Sequence, residues 1–293
     1  MERINEAFIR TMDDKLIDED VYLHQRPFRI VAEWMTQHGL EGDFLDERIW
    51  GPLMEDYRKL YPTGDFSIPA LLKAGVAMRD RFYPVRVNVG LGTYSIQPFD
   101  MIEVSRPELE RIFKNYPDIG WAALYGVCDL WDFAYGVDDL RLHDTPAVQQ
   151  LKNAQSAIAS TASILSQTLD TDSAVQTCCL AAELSLKGVL LHLGVDAVIV
   201  RNYGHNLRRI AEKLSQLRPN ANDIRLLEAC ENFPNYVNSR YSAHGLTKVQ
   251  LLALAMRAQF VAAEAVRRIS ERNLAGQVEA GEGMPRPGFQ IMS

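Results

Sequence analysis

Apolar residues recur at three- and four-residue intervals along most of this chain, which is the spacing of one buried helical face. "PFRIVAEWMTQHGL" places Phe28, Val31, Trp34 and Met35 on such a face, with Gly39 positioned to end the helix. "DERIWGPLMEDYRKLYP" and "SIPALLKAGVAMRDRFYP" read as two further helices, each closed by a proline. The period then changes. Val85, Val87, Val89 and Leu91 alternate with polar or small residues, so a short extended segment or small hairpin is expected near 85–97. Helical spacing resumes in "RPELERIFKNYP", with Ser105 as expected cap, Pro107 in the first turn and Glu108 at the capping-box position. The aromatic-rich "GWAALYGVCDLWDFAYGVDDL" follows as another helix.

The second half is more regular. One helical pattern runs from about Pro146 to Gln167, and "TDSAVQTCCLAAELSLKGVLLHLG" forms the next, with Asp172 or Ser173 as cap and Gly194 at its end. "GHNLRRIAEKLSQL", "NANDIRLLEACENF" and "GLTKVQLLALAMRAQFVAAEAVRRISERN" complete a set of five. In the last of these the stripe Val249, Ala253, Met256, Phe260, Ala263 steps by four and three. Five helices joined by short loops predict an antiparallel bundle, and the chain as a whole reads as all-α. The expected division is a helical N-terminal domain at 1–144, a bundle at 145–275, and a mobile Gly/Pro/Glu-rich tail at 276–293.

Charge divides along the same line. Residues 1–144 carry 16 Lys+Arg against 26 Asp+Glu, whereas residues 145–275 carry 14 against 10. An anionic partner would therefore meet the second half, and the excess is too small for a protein that coats duplex nucleic acid. Cys128, Cys178, Cys179 and Cys230 lack metal-ligand spacing, so neither a disulfide framework nor a zinc site is expected. A cytoplasmic location follows as the expectation, with no basic-then-apolar leader in "MERINEAFIRTMDDKLIDED". The most apolar run, Ser173 to Val200, contains Glu183, Lys187, His192 and Asp196; a buried helix followed by a short apolar stretch is expected there, with no membrane partner.

Few residues carry chemistry. Glu183 precedes Lys187 by four on an otherwise apolar helix, the favourable order for a helical ion pair. The two could serve only to keep two charges in a nearly buried helix, or could face a ligand. His205 and Asn206 open a helix, where either side chain could cap free N–H groups or leave them for phosphate, with Arg201, Arg208 and Arg209 nearby. In "NSRYSAHG", Arg240 stands four before His244, a pair able to hold a phosphate and move a proton. Asp129, Asp132, Asp138 and Asp139 fit no metal-loop pattern and read as a solvated helix face. Trp121, Tyr125, Trp131, Phe133 and Tyr135 read as core packing rather than as base-stacking groups. "GLGTYS" lacks the third glycine and the Lys-Ser/Thr pair of a phosphate loop, and no Gly-x-Ser-x-Gly turn is present.

The order "AAELSLKGVLLHLG", "YGHNLRRIAEKL", "YVNSRYSAHG" and then a long helix resembles the HEPN superfamily over about residues 145 to 273. The matching positions are Glu183 and Lys187, then His205 with Asn206 and Leu207, then Arg240 with Tyr241. The resemblance implies a small helical bundle that pairs as a homodimer and uses no cofactor. Catalytic members are metal-independent ribonucleases of toxin or defence type, with an Arg, roughly four to six residues, then a His. Here three residues intervene and Tyr241 follows the arginine, which is closer to the non-catalytic Arg-Tyr form. The first expectation is therefore a nucleotide- or RNA-binding module using Glu183, Lys187, His205, Arg209, Arg240 and Tyr241. The second is a ribonuclease using Arg240 and His244, and the third is a non-catalytic protein-interaction module.

Overall fold

A computed structural model describes residues 3–40, 42, 45–90, 95–140, 145–167, 171–234, 245–281 and 283–288. The chain separates into two compact units, Met1–Pro69 and Ala70–Ser293. Twelve α-helices and one two-stranded sheet are present among the described residues.

The first unit contains α1 (Glu6–Asp18), α2 (Arg26–Gln37) and α3 (Glu47–Leu60). Asn5 and Asp46 cap α1 and α3 with their side chains. Ile9, Ile30, Val31, Trp34, Leu53 and Tyr57 form its core. One charge is buried with them: Asp13 accepts hydrogen bonds from the hydroxyls of Tyr57 and Tyr61, and Arg26 lies 3.5 Å away. Burial and the Asp13 hydrogen bond push the Tyr57 phenol well above its ordinary range, so it remains a donor.

The second unit opens with a hairpin where helix was expected. β1 (Leu72–Met78) pairs antiparallel with β2 (Arg81–Val87), placing Leu72 opposite Val87 and Met78 opposite Arg81. Leu72, Ala74, Val76 and Met78 alternate into the core. Gly75 leaves room for the Phe82 ring, since a Cβ there would lie 2.2 Å from that ring and 2.8 Å from the Tyr83 carbonyl. The extended element is thus real but begins earlier than 85–97, and residues 91–94 lie outside the described residues.

Helices α4 (Arg106–Asn115) and α5 (Pro117–Leu140) follow. Ser105 makes no side-chain capping bond at α4; Glu108 instead accepts from the Tyr83 hydroxyl at 2.6 Å and pairs with Arg81. The core of the unit then forms from α5, α6 (Pro146–Gln167), α7 (Ala174–His192) and α11 (Lys248–Val266). Helix α7 packs against α6 and α11, and α11 packs against α5. Tyr125, Phe133, Trp131 and Tyr135 of α5 are buried, as core packing requires.

Helices α7 and α11 are each long and apolar enough to cross a membrane. Their hydropathy has a simpler cause: both are largely buried in the bundle, where α7 carries Glu183 and α11 carries Arg257, Gln259 and Glu264. Gly194, at φ +82, reverses the chain after α7, and the bonds Val195 N–H to Leu190 O and Gly194 N–H to Leu191 O close its end. Ser173 makes no side-chain capping bond at the other end. Between them, α8 (Ala197–Asn202) was read only as a short apolar stretch; Asp196 caps it. Helices α9 (Leu207–Leu217) and α10 (Asp223–Glu231) fall where periodicity placed them. Thr247 and Gln250 form a reciprocal capping box that starts α11.

The compact units divide at Pro69/Ala70, and the hairpin and α5 share one core with α6, α7 and α11. The segment after 275 is not a loose tail throughout. Helix α12 (Leu274–Ala280) buries Leu274 and Ala275, and Arg286 is buried beyond it.

Candidate functional site

Helix α7 is apolar on nearly every side, and Glu183 sits inside it with a side chain 8% exposed. A buried carboxylate survives only with partners, and Glu183 has two. Lys187, one turn along, donates from Nζ to Oε1 at 2.7 Å. His205, 22 positions away, places Nδ1 2.7 Å from Oε2. The Lys187 side chain is 12% exposed and the His205 side chain 47%. The carboxylate is thus anchored in the core while the imidazole reaches the surface.

Local sequence produces this placement. Gly204 adopts φ +59, which turns the chain between α8 and α9. Asn206 is the cap of α9, its Oδ1 accepting from the Arg209 N–H at 3.0 Å. His205 is thereby left to reach back to α7. A carboxylate 2.7 Å from Nδ1 favours a proton on that nitrogen and fixes the orientation of the ring.

Three arginines flank His205 in the sequence. Arg209 stacks 5.5 Å over the Tyr203 ring, and both Arg201 and Arg209 are exposed. Neither has a carboxylate partner among the described residues. Arg208 is committed instead, pairing with Glu212 at 2.9 Å and with Glu231. The arrangement offers an imidazole and two arginines to an anion, with an internal lysine–glutamate pair behind them.

Of the expected site residues, Glu183, Lys187 and His205 come together, and Arg209 lies four residues further along the same segment. Arg240, Tyr241 and His244 lie outside the described residues. The Glu183–His205 bond was not foreseen, since nothing in sequence spacing joins positions 183 and 205.

The acidic cluster of α5 is corrected from a solvated face to a buried ionic network. Asp129 and Asp132 are 1% and 0% exposed. Arg267, just past α11, donates to Asp129 at 2.6 Å and to Asp132 through Nε and Nη2 at 2.8 and 2.6 Å. Arg286 forms two 2.7 Å bonds with Asp129. Asp132 also accepts from the Leu274 and Ala275 N–H groups that open α12. Burial alone would raise the Asp129 carboxyl, but Arg286 and Arg267 together hold it below its ordinary value. No cluster of His, Cys, Asp and Glu among the described residues is arranged to hold a metal. Asp139 alone fits the solvated reading, pairing at the surface with Arg272.

A helical bundle with a polar patch at the α7–α9 corner defines the class. Comparison with family models matches residues 148–269 to the HEPN domain, and the N-terminal half matches no family. Residues 148–269 are thus similar to the HEPN domain. No curated protein and no solved structure matches the chain.

Proposed function

We propose that this HEPN-like domain binds a nucleotide or RNA at the α7–α9 corner. The observation that carries this reading is the Glu183-centred arrangement. A buried carboxylate, held by Lys187, fixes a half-exposed imidazole, with two exposed arginines without carboxylate partners among the described residues four positions to either side of it in the chain. Phosphate is recognised by such groups, because arginine and protonated histidine donate charge-assisted hydrogen bonds to its oxygens. Tyr203, already stacked with Arg209, adds an aromatic ring to that guanidinium. Arg240 and Tyr241 join this site in the proposal on the strength of the family pattern alone.

A second reading rests on the same hydrogen bond. A carboxylate at Nδ1 of a histidine is the arrangement of a general base and its orienting group. In a metal-independent ribonuclease, that imidazole or His244 would take the 2′-hydroxyl proton while Arg240 stabilised the phosphorane-like charge.

Anisotropy of a labelled single-stranded RNA, with ATP as competitor and EDTA present, separates the readings. Binding should weaken about fivefold in Arg209→Ala, and the slope of log K against log salt should fall by about 0.7. His205→Ala should weaken it as well. Cleavage in EDTA that disappears in His205→Ala, Arg240→Ala and His244→Ala would move the ribonuclease reading to first place. RNA and ATP binding that ignores all of these substitutions would overturn the proposed site.

A further inference from the structure

The second unit contains a cavity of about 480 Å³ that the α7–α9 corner does not use. Its volume lies in the range of small-molecule sites. Ile119, Val249, Leu252, Met256 and Phe260 give it apolar walls, so the first half of the α11 stripe faces this space rather than close-packed core. Tyr116 and Tyr125 add ring surface, and Arg286 and Asp129 border it as an internal ion pair, the Arg286 Nε making no hydrogen bond among the described residues.

The opening carries the tip of the β1–β2 hairpin, Arg79 and Asp80. Arg79 adopts φ +60, a conformation that glycine takes freely and other L residues resist. Arg79 is the first of the two residues that join β1 to β2, and a two-residue hairpin turn demands positive φ there. Its guanidinium lies 4.8 Å over the Tyr116 ring, and it has no carboxylate partner among the described residues. Asp80 is its counterweight at the rim, and Arg79, Asp80 and Tyr116 all also border a neighbouring cleft lined by Arg81, Glu108 and Arg111.

We infer that this cavity is a binding site for a small apolar monocarboxylate, with the hydrocarbon body among Ile119, Leu252, Met256 and Phe260 and the carboxylate on Arg79. A guanidinium held over an aromatic face keeps its edge N–H groups directed outward in the ring plane, the geometry that accepts a carboxylate in bidentate fashion. A nucleotide phosphate would require more cations than this rim supplies. The inference is independent of the reading at Glu183, because the two sites share no residue.

Calorimetric titration of the full chain with octanoate, 1-octanol and octylamine tests it. Octanoate should bind once, with a Kd on the order of 100 μM for ten heavy atoms, about fivefold tighter than the alcohol. Arg79→Ala should bring octanoate to the level of the alcohol, Arg79→Lys should restore part of the difference, and Asp80→Asn should tighten octanoate. Ala253→Trp, which fills the cavity, should abolish binding; Ala122→Phe does the same from the α5 side should the first variant fold poorly. Octylamine binding tighter than octanoate would overturn the ligand class. Octanoate binding unchanged in both filled variants, or absent from the full chain, would overturn the site. Binding that appears only in Phe289→Asp would show that the chain's own end occupies the cavity, which also overturns it.

Discussion

Glu183→Gln tests whether the α7–α9 corner is a coupled unit. Glutamine keeps the shape of the side chain and removes its charge. Lys187, 12% exposed, is left with no counter-charge at 2.7 Å, and His205 loses its acceptor carboxylate. Breaking one side of a buried ion pair costs about 3–5 kcal/mol. The His205 bond adds less, about 1 kcal/mol or below, because the imidazole is 47% exposed and water screens it. The readout should report α7 itself, so amide hydrogen exchange of Ala181–Leu190 is preferable to a whole-chain melt. A loss of about 3 kcal/mol speeds exchange through opening of this unit by about 150-fold. Lys187→Met should cost less, because Glu183 keeps His205. The double variant Glu183→Gln/Lys187→Met should fall short of the sum by about 2–3 kcal/mol. A change below about fivefold in exchange, or strict additivity of the two substitutions, would refute the coupling.

Other consequences can be checked separately. Asp129→Asn leaves the buried Arg286 without its carboxylate, while Arg267 keeps Asp132 and Glu264, so the unit should lose about 3 kcal/mol in urea unfolding, and proteolysis should cut earlier in 276–288. Arg79→Gly should raise the melting temperature slightly, by relief of about 0.5–1 kcal/mol of left-handed strain net of glycine entropy. Burial pushes the Cys128, Cys179 and Cys230 thiols up to about 12, while an unfolded thiol ionises near 9. Their raised folded values protect the native state below pH 9, and that advantage disappears as pH rises from about 9 to 12. Unfolding free energy should fall by about 1.4 kcal/mol per thiol per pH unit in that window, a slope that Cys128→Ala reduces by one thiol's share.

Helices were legible in the sequence wherever an apolar stripe met a capping or glycine signal, as in α2, α7, α9 and α11. The hairpin was not, and the reason is geometric. Leu72 and Val76 are four apart, so they share a face in a helix and in a strand alike. Only Ala74 between them and Met78 beyond them mark the period of two, and alanine is a weak marker. Asp129 and Asp132 read as a wet helix face because acidic residues three apart usually are one. Their partners stand 138, 135 and 157 positions away, and one of them, Arg286, lies in a segment whose composition suggests no structure. The Glu183–Lys187 pair was legible from its i, i+4 order. The Glu183–His205 bond was not, since it depends on how α8 and the Gly204 turn return the chain to α7.

The account stands most directly on His205. In the full chain, with the six histidines assigned by substitution, the imidazole signals can be followed by NMR during titration with AMP and with a short single-stranded RNA. Saturable displacement of the His205 resonances, reduced in Glu183→Gln, is the predicted result. Saturating ligand that leaves His205 unmoved, or moves only histidines remote from α7 and α9, would contradict the proposal.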